Sequence, residues 1–140
     1  MAYKWLFCFS AGTLGSWVVY LVGGWDTAFL TLLLFMAVDY ITGLVVAGVF
    51  HRSNKSESGS LTSKAGWKGL CRKGMIVLFV LIGAQLDRVL GCAYIRNAVI
   101  FAFLSNELLS IVENAGLMGI PLPKALTQAI EALQSQSEKE

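Results

Sequence analysis

The sequence predicts an all-α membrane protein with three to four transmembrane helices and a short amphipathic helix at its C-terminus. Of its 140 residues, 56% are hydrophobic and only 14% are charged, whereas soluble domains carry about 25% charged residues. The apolar residues also fall in continuous runs. Runs of about 20 residues are long enough to cross a bilayer as helices, and the chain length is that of one domain.

Four candidate spans follow one another, at residues 5–23, 27–50, 74–90 and 94–114. A cleaved signal peptide is the alternative for the first run, but Lys4 is its only preceding basic residue and no small-residue cleavage site follows. The sequence Gly23-Gly24-Trp25-Asp26 predicts a tight turn before the second run. The third run is near the lower length limit for a span.

An aspartate, Asp39, lies within the second run. A carboxylate at the centre of a membrane helix costs about 2.5–3.5 kcal/mol on insertion scales, and such residues usually have a function. One interpretation is a protonated carboxyl that faces lipid in a monomer and ionises against water in an assembly. The other is a neutral Asp39 that is hydrogen-bonded to a neighbouring helix through Tyr40, Thr42 or a backbone carbonyl.

Residues 51–73, between the second and third runs, are strongly basic. They contain six basic residues and one acidic residue, Glu57, so their net charge is +5. Their serines and glycines predict a flexible loop. Such charge holds a loop on the cytoplasmic side of a membrane, so we expect a multi-pass protein with this loop in the cytoplasm. Because few aromatic residues lie among these basic residues, we expect no nucleic-acid partner. The basic residues are Arg52, Lys55, Lys64, Lys68, Arg72 and Lys73.

The fourth run is amphipathic. On a helical wheel its polar residues fall within a sector of about 120°, and apolar residues including Ile100 and Leu104 fall opposite. The polar face could line an aqueous path, or the helix could lie flat in the membrane interface. The polar residues are Arg96, Asn106, Glu107, Ser110, Glu113 and Asn114.

Three further patterns concern packing. Asp87, at the end of the third run, joins the intramembrane polar candidates, and its neighbour Arg88 does not face it on a helix. Small residues four apart, Gly12 with Ser16 and Gly43 with Ala47, allow helices to approach closely. Beyond residue 116, prolines 121 and 123 precede a short amphipathic helix with Leu126, Ile130 and Leu133 on one face, so we treat residues 117–140 as a separate tail.

Enzymatic signatures are missing from the sequence. The three cysteines lie far apart and there is one histidine, so no metal site is expected. There is no glycine-rich phosphate loop, nucleophile elbow or HExxH motif. We therefore expect neither an enzyme nor a cofactor.

Three stretches resemble a known family. They are DYITGLVVAG (residues 39–48), SLTSKAGWKGLCRKGMIVL (60–78) and NELLSIVENAGLMGIPLPKALTQAIEAL (106–133). Together they are similar to the phage lysis holins of the TcdE-like toxin-secretion and phage-lysis family. The third stretch is the most specific, because an NExxSIxEN run precedes a G-x-P-x-P segment and a short helix.

The resemblance implies a pore-forming protein without catalytic residues. Such a protein would assemble with copies of itself in the inner membrane of the host and release an endolysin, or a toxin, during host cell lysis. An antiholin of the same fold would be a partner or an alternative identity. A small accessory membrane or transporter subunit is a further alternative, because Asp39 also fits an ion site.

Overall fold

The computed structural model describes residues 2–137, apart from the side chains at positions 2, 130, 133, 134, 136 and 137. The described residues form helices and connecting loops without any strand, which confirms the predicted all-α class. The helices are α1 (Ala2–Leu21), α2 (Thr27–Val45, continued by a π-helical turn at Val46–Phe50), α3 (Ser63–Leu90), α4 (Ile95–Leu117) and α5 (Lys124–Ser137).

Three helices are long and apolar enough to cross a membrane. They are α2 with its π-helical end (Thr27–Phe50), α3 and α4. The first helix is not among the three candidates that the described residues contain. The short helix α5 follows them and begins at Lys124, as the prolines predict. Of the apolar side chains expected on one face of α5, those of Ile130 and Leu133 lie outside the described part.

Contacts near the helix ends show that α2, α3 and α4 alternate in direction. Near the start of α2 and α4, Asp26 contacts Arg96, and near their ends Thr42 contacts Asn114, so α2 and α4 run parallel. Helix α3 runs the other way, because its early residue Lys73 contacts the later halves of both. The three helices therefore alternate in direction, as three successive crossings of a membrane would require.

An apolar core occupies the half of the bundle where α2 and α4 begin. In α2 its residues Phe29, Leu32 and Met36 recur at the spacing of one helical face. The buried core residues are Val22, Phe29, Leu32, Met36, Ile76, Val80, Ile100 and Leu104. Many large apolar side chains on the outside stay exposed, as expected for a surface that lipid covers.

The buried face of α4 contains both polar and apolar residues. Arg96, Glu107 and Asn114 are buried beside Ile100 and Leu104. The expectation that Ile100 and Leu104 lie opposite the polar residues is wrong, because at about 100° per residue they lie only about 40° and 80° from Arg96. The apolar Phe101, by contrast, is 52% exposed. Because lipid is an apolar solvent, polar side chains gain most by turning towards other helices. The flat orientation is therefore not what the structure has, since α4 packs along α2 and α3.

The basic segment is a loop over only part of its length. Helix α3 begins at Ser63. The Thr62 side chain caps it by accepting a hydrogen bond from the Ala65 amide at 3.2 Å. The expectation of a loop as far as residue 73 is wrong, because a threonine cap starts a helix there and Lys64 and Lys68 extend it beyond the apolar run. Residues 51–62 remain a loop, which is closed by the Ser53 amide donating to the Gly59 carbonyl at 3.0 Å.

The two small-residue pairs lie in different surroundings. Ala47 is buried, and a side chain added at Gly43 would lie 3.8 Å from the Asn114 amide nitrogen, so this pair faces α4 of the same chain. Gly12 has nothing within 4 Å, and the Ser16 hydroxyl donates to the Gly12 carbonyl of its own helix at 2.9 Å. Over most of its length α1 is exposed, so the Gly12 pair has no partner helix within the described chain.

Candidate functional site

Charged side chains from three helices meet between α2, α3 and α4. The Lys73 ammonium lies 2.8 Å from the Asp39 carboxylate and 2.6 Å from that of Glu107. Asp39 is 6% exposed and Glu107 is 4% exposed. We call these three residues, with Lys55 and Asn114, the inner polar cluster.

The helical repeat places this cluster directly beyond the apolar core. Asp39 follows the core residue Met36 by three positions, and Glu107 follows Leu104 by three. On α3, which runs the other way, Lys73 precedes Ile76 by three. Residues three apart share a helix face, so each charged side chain continues the buried stripe of its helix by one turn. The cluster is therefore a polar layer stacked on the core.

Asn114 ties α4 to α2 within the same layer. Its amide donates to the Asp39 carboxylate at 3.2 Å, to the Asp39 carbonyl at 3.3 Å and to the Thr42 hydroxyl at 2.9 Å. The side chain is almost completely buried. A buried amide that has acceptors from two different positions fixes the register of the two helices.

Lys55 enters the cluster from the loop that follows α2. Its ammonium lies 3.5 Å from Asp39 and donates to the Ser110 hydroxyl at 3.1 Å. Two carboxylates and two ammonium groups then balance in charge. Buried charges are costly unless they are paired and hydrogen-bonded, so the balance explains how Asp39 is accommodated in an apolar helix.

A groove of about 610 Å³ opens beside the inner polar cluster. One wall carries Asn106, Ser110 and Glu113 of α4, and of these Asn106 and Glu113 are exposed. The rest of the lining is mixed, and apolar side chains such as Leu44 and Phe79 alternate with polar ones. Four members of the inner polar cluster border the groove, namely Asp39, Lys55, Lys73 and Glu107. The groove gives the bundle one side on which polar groups reach its surface.

Arg96 organises the other end of the bundle. Its guanidinium pairs with Asp26 at 2.6 Å and donates to the carbonyls of Val22 and Gly24. Asp26 also caps α2 by accepting from the Phe29 amide at 2.9 Å. The Arg96 hydrogen bond lowers the pKa of Asp26, although partial burial opposes the shift. Arg96 thus holds the α1–α2 turn against α4.

Close backbone approach makes room for Arg96. A side chain at Gly83 of α3 would lie 3.0 Å from the Arg96 Cα atom. At Gly23, where φ is +89°, it would lie 2.7 Å from the Arg96 Cδ atom. Glycine at these positions therefore lets α3 and the α1–α2 turn pack around the arginine.

Asp87 caps the start of α4. Its carboxylate accepts from the backbone amides of Ile95 at 2.9 Å and Arg96 at 3.0 Å. It also accepts from the Cys92 thiol, and this hydrogen bond raises the pKa of Cys92. The sequence grouped Asp87 with the intramembrane pore candidates. The structure instead gives it a capping position, far from the inner polar cluster, because the chain reverses at Gly91.

Side chains of α3 satisfy the end of α1. Arg88 donates to the Tyr20 carbonyl and lies over the Tyr20 ring at 4.3 Å, and Gln85 donates to the Leu21 carbonyl at 2.8 Å. The last carbonyls of a helix have no partners within it. These contacts therefore attach the C-terminal end of α1 to the bundle.

The sequence identified the buried charges but not their partners. It expected partners elsewhere for Arg96 and Glu107, and the structure supplies Asp26 and Lys73. Neither interpretation of Asp39 included a lysine, because Lys73 was assigned to the loop. The Tyr40 hydroxyl does not contact Asp39 but lies 3.5 Å from the Gly66 carbonyl. The signal that could have identified Lys73 as a partner is its spacing of three residues from the apolar Ile76, which places both on one face of a helix.

Metal-binding geometry is not found among the described residues, where no three histidine, cysteine or carboxylate side chains come together. The cysteines 8, 71 and 92 are free thiols. The groove and the polar clusters therefore offer charge pairing and hydrogen bonding as their chemistry.

Comparisons with known proteins give a consistent result. The profile of the bacteriophage holin family matches residues 16–135. An uncharacterized protein of Halalkalibacterium halodurans is 40% identical over 136 residues, covering 93% of this chain and 95% of its own. An uncharacterized protein from the nagH 3′ region of Clostridium perfringens is 34% identical, and the match covers 91% of this chain and 89% of that protein. A probable holin of Bacillus phage phi105 is 27% identical, and the match covers 86% of this chain and 83% of the phage protein. No solved structure matches significantly.

Proposed function

Since the chain belongs to the bacteriophage holin family, we propose that it is a phage holin that assembles with copies of itself into lesions in the host cytoplasmic membrane. An endolysin would cross these lesions to reach the cell wall. The observation that carries this proposal is the family match, which covers all three candidate spans. The similarity to a probable phage holin supports it.

The distribution of polar groups agrees with assembly. A bundle of three helices has no room for a wide path through its own centre, and here the centre is filled by the apolar core and the inner polar cluster. Polar side chains at positions 106, 110 and 113 border the open groove. In a ring of copies, this side of α4 would form the wall of a shared aqueous opening.

Topology follows from the basic loop. With residues 51–62 in the cytoplasm, the inner polar cluster lies towards the cytoplasmic side and the turn at Trp25 lies outside. Lys55 of this loop contacts Ser110, and α4 ends nearby at Leu117. The tail with α5 would then also be cytoplasmic, which is where four spans would place it too.

In a variant of the same proposal, the cargo is a toxin instead of an endolysin. This variant is suggested by the three stretches that resemble the toxin-secretion holins, and the toxin would leave by the same lesions. Endolysin or toxin would be a functional partner that passes through, and the protein itself would carry no catalytic group. The bilayer and further copies of the chain would be its structural partners, and an antiholin would regulate it.

Expression in bacteria tests the proposal. Induced alone, the protein should halt growth abruptly after a delay, and with a co-expressed endolysin it should cause lysis. An antiholin would instead delay lysis by another holin and would not halt growth alone. An accessory subunit would be harmless and would co-purify with a stable partner. In liposomes, the purified protein should release an enzyme-sized cargo, and failure to do so at any density would contradict the holin assignment.

A further inference from the structure

We propose that the inner polar cluster holds the chain in a sealed state, and that these contacts must separate before a lesion opens. This inference rests on the proposed function and concerns its regulation. Helices α2, α3 and α4 each supply a charged residue, and every charged group in the cluster is paired. The structure is therefore that of the chain before it lines water.

Complete satisfaction of the polar groups supports the sealed state. Among the described residues, no buried side-chain nitrogen or oxygen lacks a hydrogen-bond partner. Asp39 and Glu107 share one ammonium group, and Asn114 closes the remaining gap to α2. A face that already lined water would not need these mutual contacts, because water would hydrate each charge separately.

Geometry limits where separation can occur. At the outer end, Arg96 and Gly83 bring α2, α3 and α4 into close contact. At the inner end, the groove lies between α2, α3 and α4, and besides the inner polar cluster the direct contact between α2 and α3 there is the Tyr40 side chain against Gly66 and Gly69. We therefore expect the inner half to open and the outer half to act as the fixed end.

Lys55 is the accessible member of the cluster. Its side chain is 47% exposed, whereas those of Lys73, Asp39 and Glu107 are 13%, 8% and 6% exposed. It belongs to the loop of residues 51–62 and not to a helix. Loss of the Lys55 contact would leave two carboxylates facing one lysine in the bundle, so this loop residue links events at the cytoplasmic surface to the buried pairs.

A disulfide across α2 and α4 tests the inference directly. The Thr42 hydroxyl and the Asn114 amide are 2.9 Å apart, so these side chains face each other across α2 and α4. The double variant Thr42→Cys with Asn114→Cys, in a chain whose cysteines 8, 71 and 92 are serine, is treated with oxidant, and loss of both free thiols shows that the disulfide has formed. The protein is placed in liposomes loaded with an enzyme-sized cargo. We expect the oxidised double variant to retain the cargo and to release it once reductant is added.

The controls separate this inference from the proposed function. Each single-cysteine variant, treated with the same oxidant, should release the same amount of cargo before and after reductant is added. Equal release by the oxidised and reduced double variant would overturn the sealed-state inference while leaving the holin assignment intact. No release by the unmodified chain would instead contradict the holin assignment.

A charge variant provides an independent test in cells. Lys73→Met removes the shared ammonium and favours the open state, in which water hydrates Asp39 and Glu107. At equal abundance in the membrane fraction, we expect a shift of lysis onset to earlier times. Lys68→Met, the same change at an exposed position of the same helix, should retain the unmodified onset. An unchanged or later onset for Lys73→Met at equal abundance would overturn the inference, whether or not the disulfide forms.

Discussion

The ammonium group of Lys73 lies 2.6 Å from the carboxylate of Glu107, although the two residues are 34 positions apart and belong to different helices. The Glu107 side chain is buried and that of Lys73 is 13% exposed, in a bundle whose outer surface is apolar. The same ammonium contacts Asp39 of a third helix. A single lysine therefore joins the three candidate membrane-spanning helices, and the first prediction concerns its removal.

Replacement of Lys73 by methionine should destabilise the folded bundle in mild detergent. Two buried carboxylates would lose their shared partner, and breaking a buried ion pair costs about 3–5 kcal/mol. Lys68→Met is the matched control, because Lys68 lies on the same helix and is exposed. Thermal unfolding followed by circular dichroism measures both. Equal midpoints for the two variants would contradict a structural role for the Lys73 pairs.

Replacement of Asp39 by asparagine should change the time of lysis. The amide keeps an acceptor for Asn114 but removes the charge that pairs with Lys73 and Lys55. Glu57→Gln removes a charge of the same sign from an exposed loop position outside the groove and should leave the timing unchanged. The onset of lysis is recorded at equal expression. Wild-type timing in Asp39→Asn would remove ionisation of Asp39 from the mechanism.

The ion pair between Asp26 and Arg96 predicts a pH dependence of stability. Arg96 lowers the folded-state pKa of Asp26 below its ordinary 3.8, so the stabilisation is complete above the unfolded pKa and is lost as the pH falls through the folded one. Asp26→Asn retains a cap for α2. We expect a constant stability gap between the two proteins near neutral pH, and a gap that closes in acid.

Measurement of that gap uses the unfolding midpoint of each protein at several pH values. A gap that widens towards low pH would have the wrong sign for a lowered pKa. A gap that does not close in acid would contradict pairing with Arg96, and the absence of any gap near neutral pH would show that Asp26 stabilises through its cap alone, which asparagine also provides.

A larger side chain at Gly83 should force α3 and α4 apart. A Cβ atom there would already lie 3.0 Å from the Arg96 Cα atom, and overpacking costs about 1–3 kcal/mol. Gly83→Val should therefore lower the unfolding midpoint. Gly74→Val, on the same helix with nothing within 4 Å of the added atom, carries the same change in helix propensity and should have a much smaller effect. Similar losses would exclude the close contact as the cause.

Cysteine substitutions along α4 should locate the aqueous wall. At positions 106, 110 and 113, which line the groove, introduced thiols should react with membrane-impermeant reagents after lysis is triggered. At positions 104, 108 and 112 they should stay protected. The native cysteines are first replaced by serine. Equal reactivity of the two series would contradict a one-sided polar wall.

The sequence by itself determined the helical class, the candidate spans and the presence of costly charges within them. Long apolar runs and a segregated basic segment suffice for this, because they reflect local composition and the solvent that surrounds the helices. The same local signals predicted the helix start near Lys124 and the turn at Gly23. They also indicated that Arg96 and Glu107 need partners from other helices, since the two are too far apart to pair within one.

Only the tertiary structure decided which groups satisfy those charges. Lys73 reaches Asp39 and Glu107 across 34 residues in each direction, and Arg96 reaches Asp26 across 70. Such pairs depend on helix order, register and the close approach at Gly83, none of which a helical wheel contains. Spacing along α4 puts Arg96, Ile100 and Leu104 on neighbouring parts of the helix, but only packing shows that all three are buried together. Charged side chains can be buried in this bundle because neighbouring helices supply their partners.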